Sequence, residues 1–442
     1  MRPVAVDLFA GAGGMSLGFE QAGFDVVAAV EIDPVHAATH EFNFPDCAVI
    51  CGSVSDVSGE EIRKAAKLGE RKVDLVFGGP PCQGFSLIGK RQLDDPRNSL
   101  LKDFVRIARE LDASYIVLEN VKGLTVGKHR AMLDELVQLF EDAGYEIRLP
   151  WRVLDAADFG VPQHRERLFL MGAKKGLPVP VYPSATCTPA DAESSDKLPS
   201  GPSCKDALGD LPNPDKFASL KSGDSVRTKS WGKPSEYAQI MRCMDESGWF
   251  YGYRRGFDST ALTSSAYTDH SEISRRRFGA TEPGAVEPIS RLFKLHPNGL
   301  SNTLRAGTDG ARGAFTSPRP IHYSARRCVT VREMARLHGF PDWFRFNATK
   351  WHGARQIGNA VPPPLARAVA GAIMSAASFE RTKPDEAIDL GSPSLLSMDL
   401  TTASNHFGVR KPPSKRDRKS GAKKRKQAEI ERLRLMSPIA AE

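Results

Sequence analysis

Five short apolar runs in the first 120 residues each stop at residues that cannot carry a strand further, and no other feature constrains the fold as much. They lie at 4–9, 26–30, 47–50, 73–77 and 115–118. Each is too short for a helix and rich in β-branched residues, while helical periodicity appears in several of the gaps between them. The first run turns through Ala10-Gly11-Ala12-Gly13-Gly14 into a helix with Met15, Leu17, Phe19 and Ala22 on its apolar face. Further helices are expected at about 59–68, after Asn98-Ser99 with Leu100, Leu101, Phe104, Val105 and Ala108 inward, and around Leu133, Leu136, Val137 and Phe140. The pattern predicts an α/β fold: a parallel sheet with helices on both faces.

Open sheets of this kind bind ligands outside the carboxyl ends of their strands, so the residues there are the candidates for chemistry. The first strand ends in the glycine turn, which lets backbone approach a ligand at a helix N-terminus. The second ends in Glu31-Ile32-Asp33, with Glu31 twenty residues after Gly11, the spacing of an acid that binds a ribose hydroxyl pair. The order of the glycines is not the dinucleotide G-x-G-x-x-G, and a glycine turn plus an acid also occurs in nicotinamide enzymes. The third strand leads into Gly52-Ser53-Val54-Ser55-Asp56, and the fifth into Glu119-Asn120-Val121.

The fourth strand delivers Gly78-Gly79-Pro80-Pro81-Cys82-Gln83-Gly84-Phe85-Ser86. The paired prolines keep this loop extended and out of a helix, so that the thiol is presented at the ligand edge. We read Cys82 as a nucleophile; the alternative is an inert cysteine buried at a strand end.

Beyond these strands, 153–155 and 167–172 read as an edge hairpin around Gln163-His164-Arg165-Glu166-Arg167. From Lys174 to about Ser203 the composition shifts to Pro, Ala, Ser and Thr, and the segment to about Tyr323 is irregular and rich in Arg, Gly and aromatics. Helical pattern returns at 331–337, and Arg355-Gln356-Ile357-Gly358-Asn359-Ala360-Val361-Pro362-Pro363-Pro364 opens an Ala-rich helix over 365–378. The expected organisation is a catalytic and cofactor-binding unit over 1–175, completed by 325–384, with a smaller irregular domain at 176–324 and a polar, disordered tail at 385–442.

The formal charge of +8 is a poor average. Residues 410–434 carry 12 Lys/Arg against 3 Asp/Glu, and residues 225–350 carry 20, 16 of them Arg, against 11, so two basic regions stand on an acidic body. An Arg-rich segment of this kind suits a nucleic-acid surface, because guanidinium forks match phosphates and guanine edges. Arg254, Arg255, Arg275, Arg276 and Arg277 are candidate contacts. Seven scattered cysteines without a Cys-x-x-Cys pair predict neither disulfides nor a structural metal. With no long apolar run and no leader before the first strand, the expected setting is cytoplasmic, without a membrane partner.

Six motifs in this order closely resemble the cytosine carbon-5 DNA methyltransferase family: the glycine turn, Glu31, Pro-Pro-Cys, Glu-Asn-Val, Gln-x-Arg-x-Arg and Gln-x-Gly-Asn-x-Val-Pro-Pro. The resemblance covers 4–172 and 300–376 and implies a Rossmann-like sheet that uses S-adenosylmethionine, with S-adenosylhomocysteine as product and no metal. It implies that Cys82 attacks carbon 6 of cytosine, that Glu119, held protonated, donates at ring nitrogen 3, that Arg165 holds the base's carbonyl oxygen and that Arg167 orders the site. Phe9, Gly11, Gly13 and Gly14 would contact the methyl donor, Glu31 its ribose and Leu100 its flank, with Asn359 and Val361 completing the pocket. Gln83, Ser86 and Arg91, after the nucleophile, and Thr303 and Arg305 in Ser301-Asn302-Thr303-Leu304-Arg305 would face the DNA around a flipped nucleotide.

The partners implied are double-stranded DNA and a restriction endonuclease acting on the same site, the enzyme itself working as a monomer. One departure concerns adenine: the family's usual Asp after the third strand's glycine is Ser53 here, and either Ser53 or Asp56 takes that contact. An RNA-modifying branch is disfavoured by the lack of Cys-Phe-Thr. A non-catalytic homologue is disfavoured by the presence of Cys82, Glu119 and Arg165, and a nicotinamide enzyme leaves Pro-Pro-Cys unexplained.

Overall fold

A computed structural model describes residues 2–81, 99–125, 129–193, 197–308 and 316–412. Its centre is a sheet of eight strands: β1 Val4–Leu8, β2 Asp25–Glu31, β3 Ala48–Cys51, β4 Leu75–Gly78, β5 Tyr115–Val121, β6 Tyr145–Ile147, β7 Arg152–Asp155 and β8 Glu166–Lys174. The order is β3-β2-β1-β4-β5-β8-β6, with β7 also on β8. Neighbours from β3 to β5 are parallel, whereas β8 is antiparallel to β5, β6 and β7. Strand order reverses between β1 and β4, because the chain builds outward from β1 to β3, then returns to β4 on the other side.

Alternate residues feed two cores, as period-two side chains must when both faces are covered. One face buries Val6, Val30, Val76, Ile116 and Leu170 beneath α3 Gly59–Ala65, α4 Ser99–Glu110 and α5 His129–Asp142. The other buries Ala5, Phe77, Val117, Phe169 and Met171 against α1 Gly14–Ala22 and α11 Pro363–Ala376. Phe19 stacks on Phe77 with ring centres 4.0 Å apart. All nine residues of α1 are buried, beyond the single face expected, because Leu17 enters a third core with Phe340, Phe344 and Ile357.

Several expectations are corrected. The hairpin of 153–155 with 167–172 forms as antiparallel β7–β8, but β8 is no edge strand: it lies between β5 and the β6 and β7 segments, which is why it is apolar on both faces. Gln356 to Asn359 end one helix, α10 Lys350–Asn359, and Pro362 separates it from α11. α2 Pro34–Asn43, started by the side chain of Asp33, was not foreseen. Residues 385–412 are no disordered tail. Ala387–Asp389 pairs with Arg254–Gly256, Leu395 and Leu396 pack on Ala38 and Phe42, and α12 Leu400–His406 follows, where the low aromatic content hid four leucines. Between β8 and α9 Val331–Leu337 run α6 Cys204–Leu208, α7 Glu236–Met241, α8 Glu272–Ala280 and strands of two or three residues, fitting the irregular reading of that segment.

Candidate active site

Register aligns the candidates. Leu8 is level with Val30 and Gly78, and Gly78 with Leu118. Phe9, Glu31, Gly79 and Glu119 therefore stand level, at the carboxyl edge where strand order reverses, the place at which open sheets form a crevice.

At the β1 and β2 ends, Glu31 Oε2 accepts the Gly11 N–H at 2.7 Å and Oε1 the Asp33 N–H at 2.8 Å. Burial raises the Glu31 carboxyl, opposed by His36 and these two N–H groups. Asp33 is half-buried, which pushes its carboxyl up, but His36 and the N–H groups of Val35 and His36 hold it low. Gly11 has φ +57° with no atom within 4 Å of where a Cβ would stand. Ile32, between the two acids, is 64% exposed. Its signal in the sequence is local: an apolar residue directly after the ribose-spaced acid, absent from the candidates above.

The chain's far end closes on this turn. A Cβ on Gly14 would stand 2.6 Å from the Val361 carbonyl oxygen. Gln163 Nε2 meets His338 Nδ1 at 2.9 Å, and His338 Nε2 meets the Ala360 carbonyl at 3.0 Å. With donors and acceptors so arranged, His338 is neutral with its proton on Nε2, in line with a pKa pushed well down by burial and by Arg165. These residues fit S-adenosylmethionine: a carboxylate for ribose, an exposed apolar side chain for adenine and an open glycine turn at a helix start. Phe9, at φ 67°, and Leu100 are half-buried, and Asn359 is exposed. Ser53 Oγ accepts the Ser55 N–H and caps the turn Val54–Asp56, while Asp56 is exposed.

Glu119 lies at the β4 and β5 ends. On the antiparallel β5–β8 ladder Glu119 is opposite Phe169 and Val121 opposite Arg167, so Glu119 and Arg167 are diagonal neighbours on one face. Arg167 Nε contacts Glu119 Oε1 at 2.8 Å, with side chains only 14% and 12% exposed. Burial nevertheless raises the Glu119 carboxyl, against the pull of Arg167 and Arg165. Gly79 permits this crowding, since a Cβ there would stand 2.5 Å from Glu119 Oε2. Asn120 Nδ2 donates to the Pro80 carbonyl at 3.2 Å, tying the start of the Pro-Pro loop to β5. Cys82, Gln83, Ser86 and Arg91 lie outside the described residues. Burial raises the six described cysteines, Cys51 and Cys204 to about 12, so none of them is an activated thiol.

The two arginines differ from expectation. Arg165 is 1% exposed, and its Nη1 and Nη2 donate to the carbonyls of Leu304 at 3.0 Å and Gly358 at 2.8 Å. Those two nitrogens are committed to backbone, so Arg165 joins three segments, and it is Arg167 whose guanidinium meets the carboxyl of Glu119. Thr303 Oγ1 donates to the His164 carbonyl at 2.8 Å, the Leu304 N–H donates to Gln163 Oε1 at 2.9 Å, and Arg305 is exposed. Of the basic candidates, Arg255 is buried on Glu20 at 2.7 Å, Arg277 is near Glu287 and Arg275 is on Asp269. Arg254 bonds the Asp385 carbonyl, while Arg276 is largely exposed beside Glu272.

The family described as C-5 cytosine-specific DNA methylase matches residues 4–375. The chain is 56% identical to the type II methyltransferase M.XorII of Xanthomonas oryzae pv. oryzae over 92% of its own length and 93% of that protein's. It is 34% identical to the type II methyltransferase M1.HphI of Haemophilus parahaemolyticus, covering 84% and 86%. A prophage-encoded E. coli protein described as a DNA modification methyltransferase superposes with TM-score 0.66 at 32% identity, over 85% of this chain and 99% of that one. On the strength of a match running through nearly the whole described fold, the chain belongs to the C-5 cytosine-specific DNA methylases.

Proposed function

We propose that this enzyme methylates carbon 5 of a cytosine flipped out of a specific double-stranded DNA sequence, as the modification partner of a restriction endonuclease. The observation that carries the mechanism is the buried Glu119 carboxyl, raised by its surroundings and touching Arg167 at the ligand edge. Carbon 5 is a weak nucleophile. In our reading the Cys82 thiolate adds to carbon 6 and a ring electron pair moves to carbon 5, while Glu119 gives a proton or hydrogen bond to nitrogen 3. Arg167 orients Glu119 and faces the base's carbonyl side, the role first expected of Arg165. S-Adenosylmethionine, when bound, supplies a methyl carbon activated by a sulfonium. Loss of the carbon-5 proton to water, return of the nitrogen-3 proton to Glu119 and expulsion of the Cys82 thiolate restore the aromatic ring.

Glu31, Ile32, Gly11, Gly13, Gly14 and Phe9 would hold the donor, with Leu100, Asn359 and Val361 around it. Gln83, Ser86, Arg91, Thr303 and Arg305 would meet the DNA. The kinship with M.XorII supports the restriction–modification setting. The test is to incubate the protein with DNA and labelled donor and to map modified cytosines by bisulfite sequencing. We expect label at carbon 5 within one recurring sequence and none with Cys82→Ser; retained transfer by that variant overturns the covalent route.

A further inference from the structure

His164 has no part in the chemistry above, yet both its ring and its main chain are engaged. Its Nδ1 meets Asp155 Oδ2 at 2.7 Å and its Nε2 meets Asp191 Oδ2 at 3.1 Å, so both ring nitrogens face carboxylates. Only the imidazolium can donate from both nitrogens at once. Its N–H donates to the Ser301 carbonyl at 3.1 Å, and its carbonyl accepts the Thr303 hydroxyl at 2.8 Å. Asp155 Oδ1, in turn, accepts the Arg165 N–H at 2.8 Å. Three stretches thus meet on one residue: the end of β7 and the segment around Asp191, which begins the irregular region, on its ring, and Ser301–Thr303 on its main chain.

We propose that His164, charged between Asp155 and Asp191, is a positioning residue that holds the Thr303 segment and the start of the recognition region in their DNA-binding arrangement. The inference rests on the DNA-methylating reading above. Around the ring the facing groups are Asp155 from β7, Asp158 from the turn after it and Asp191, with Arg165 and Glu166 next in chain. The Ser301 carbonyl and the Thr303 hydroxyl bond the main chain of His164, so the ring's two ion pairs fix the stretch of backbone that carries them. Burial opposes the charge on His164, but Asp155 and Asp191 outweigh it and raise its pKa. Burial pushes other histidines the opposite way, His40 to about 3 and His270 and His352 to about 4. The sign follows: the clamp is charged below its raised pKa and is lost as pH rises through it.

The test measures DNA affinity, without turnover, from pH 6 to 9, using a duplex that carries the methylated sequence. We expect wild-type affinity to fall about tenfold on the alkaline side. His164→Gln should bind about tenfold more weakly at pH 6.5 with that pH dependence gone, and Asp191→Asn, altering a group 41% exposed, should move the fall to lower pH. A histidine-resolved NMR titration of the full chain reads the ring directly. A His164→Gln profile that tracks wild type, or a His164 resonance titrating at or below the ordinary value, overturns the proposal. Should the wild-type protein modify no DNA, it is the functional reading that fails, while the NMR titration still decides the clamp.

Discussion

Arg165 and Gly358 are 193 positions apart in the chain, and the guanidinium of one donates to the carbonyl of the other at 2.8 Å. With the bond to Leu304, this fastens the active-site turn to the end of α10. Arg165→Lys keeps the charge but cannot reach both carbonyls, and buried polar groups left unpaired cost about 1–3 kcal/mol each. We expect the variant to lose about 2–4 kcal/mol in urea denaturation. A loss below about 0.5 kcal/mol would mean the fastening is dispensable.

Glu119→Gln preserves shape and removes the titrating proton. Single-turnover methylation should slow by about 100-fold or more, with DNA affinity changed by less than about threefold. Burial raises this carboxyl, so the protonated form fades as pH rises through the raised pKa, and the single-turnover rate should fall on the alkaline side. Arg167→Gln removes the leading opposing cation, moving that fall to higher pH while slowing the reaction throughout. A fall that moves to lower pH instead would contradict the pairing.

Gly79→Ala puts a methyl group 2.5 Å from Glu119 Oε2. The carboxyl must move, so the rate should drop about 100-fold, whereas stability should change by only about 1–2 kcal/mol. Near-normal turnover would show that the close approach is not used.

Ser53→Asp should leave the fold intact, because Asp caps a turn as well as Ser does. If Ser53 faces adenine, calorimetric titration should give cofactor affinity equal to or above wild type. Abolished binding would count against that placement.

Truncation separates two parts of the C-terminal segment. Stopping at residue 384 removes Leu395 and Leu396 from Ala38 and Phe42, and should cost about 2–5 kcal/mol, seen as a lowered Tm. Removing 410–434 should spare Tm and flatten the salt dependence of DNA binding without changing the methylated sequence. An unchanged salt slope would leave the tail without a part in affinity.

The sequence by itself determined the five parallel strands, the carboxyl edge and the order of motifs along it. These are local matters: β-branched runs, glycines and prolines act on their immediate neighbours, and an acid directly after a strand must emerge at its end. Tertiary structure decided what depends on pairing across the chain. The division of labour between Arg165 and Arg167 follows from the antiparallel placement of β8, which no local pattern encodes. The apolar residues of 385–412 gain meaning only from Ala38 and Phe42 of α2, on which they pack. His164 looked like a spacer within a motif until folding brought Asp155 and Asp191 to its two nitrogens, because the energy of an ion pair depends on distance in space and not on separation along the chain.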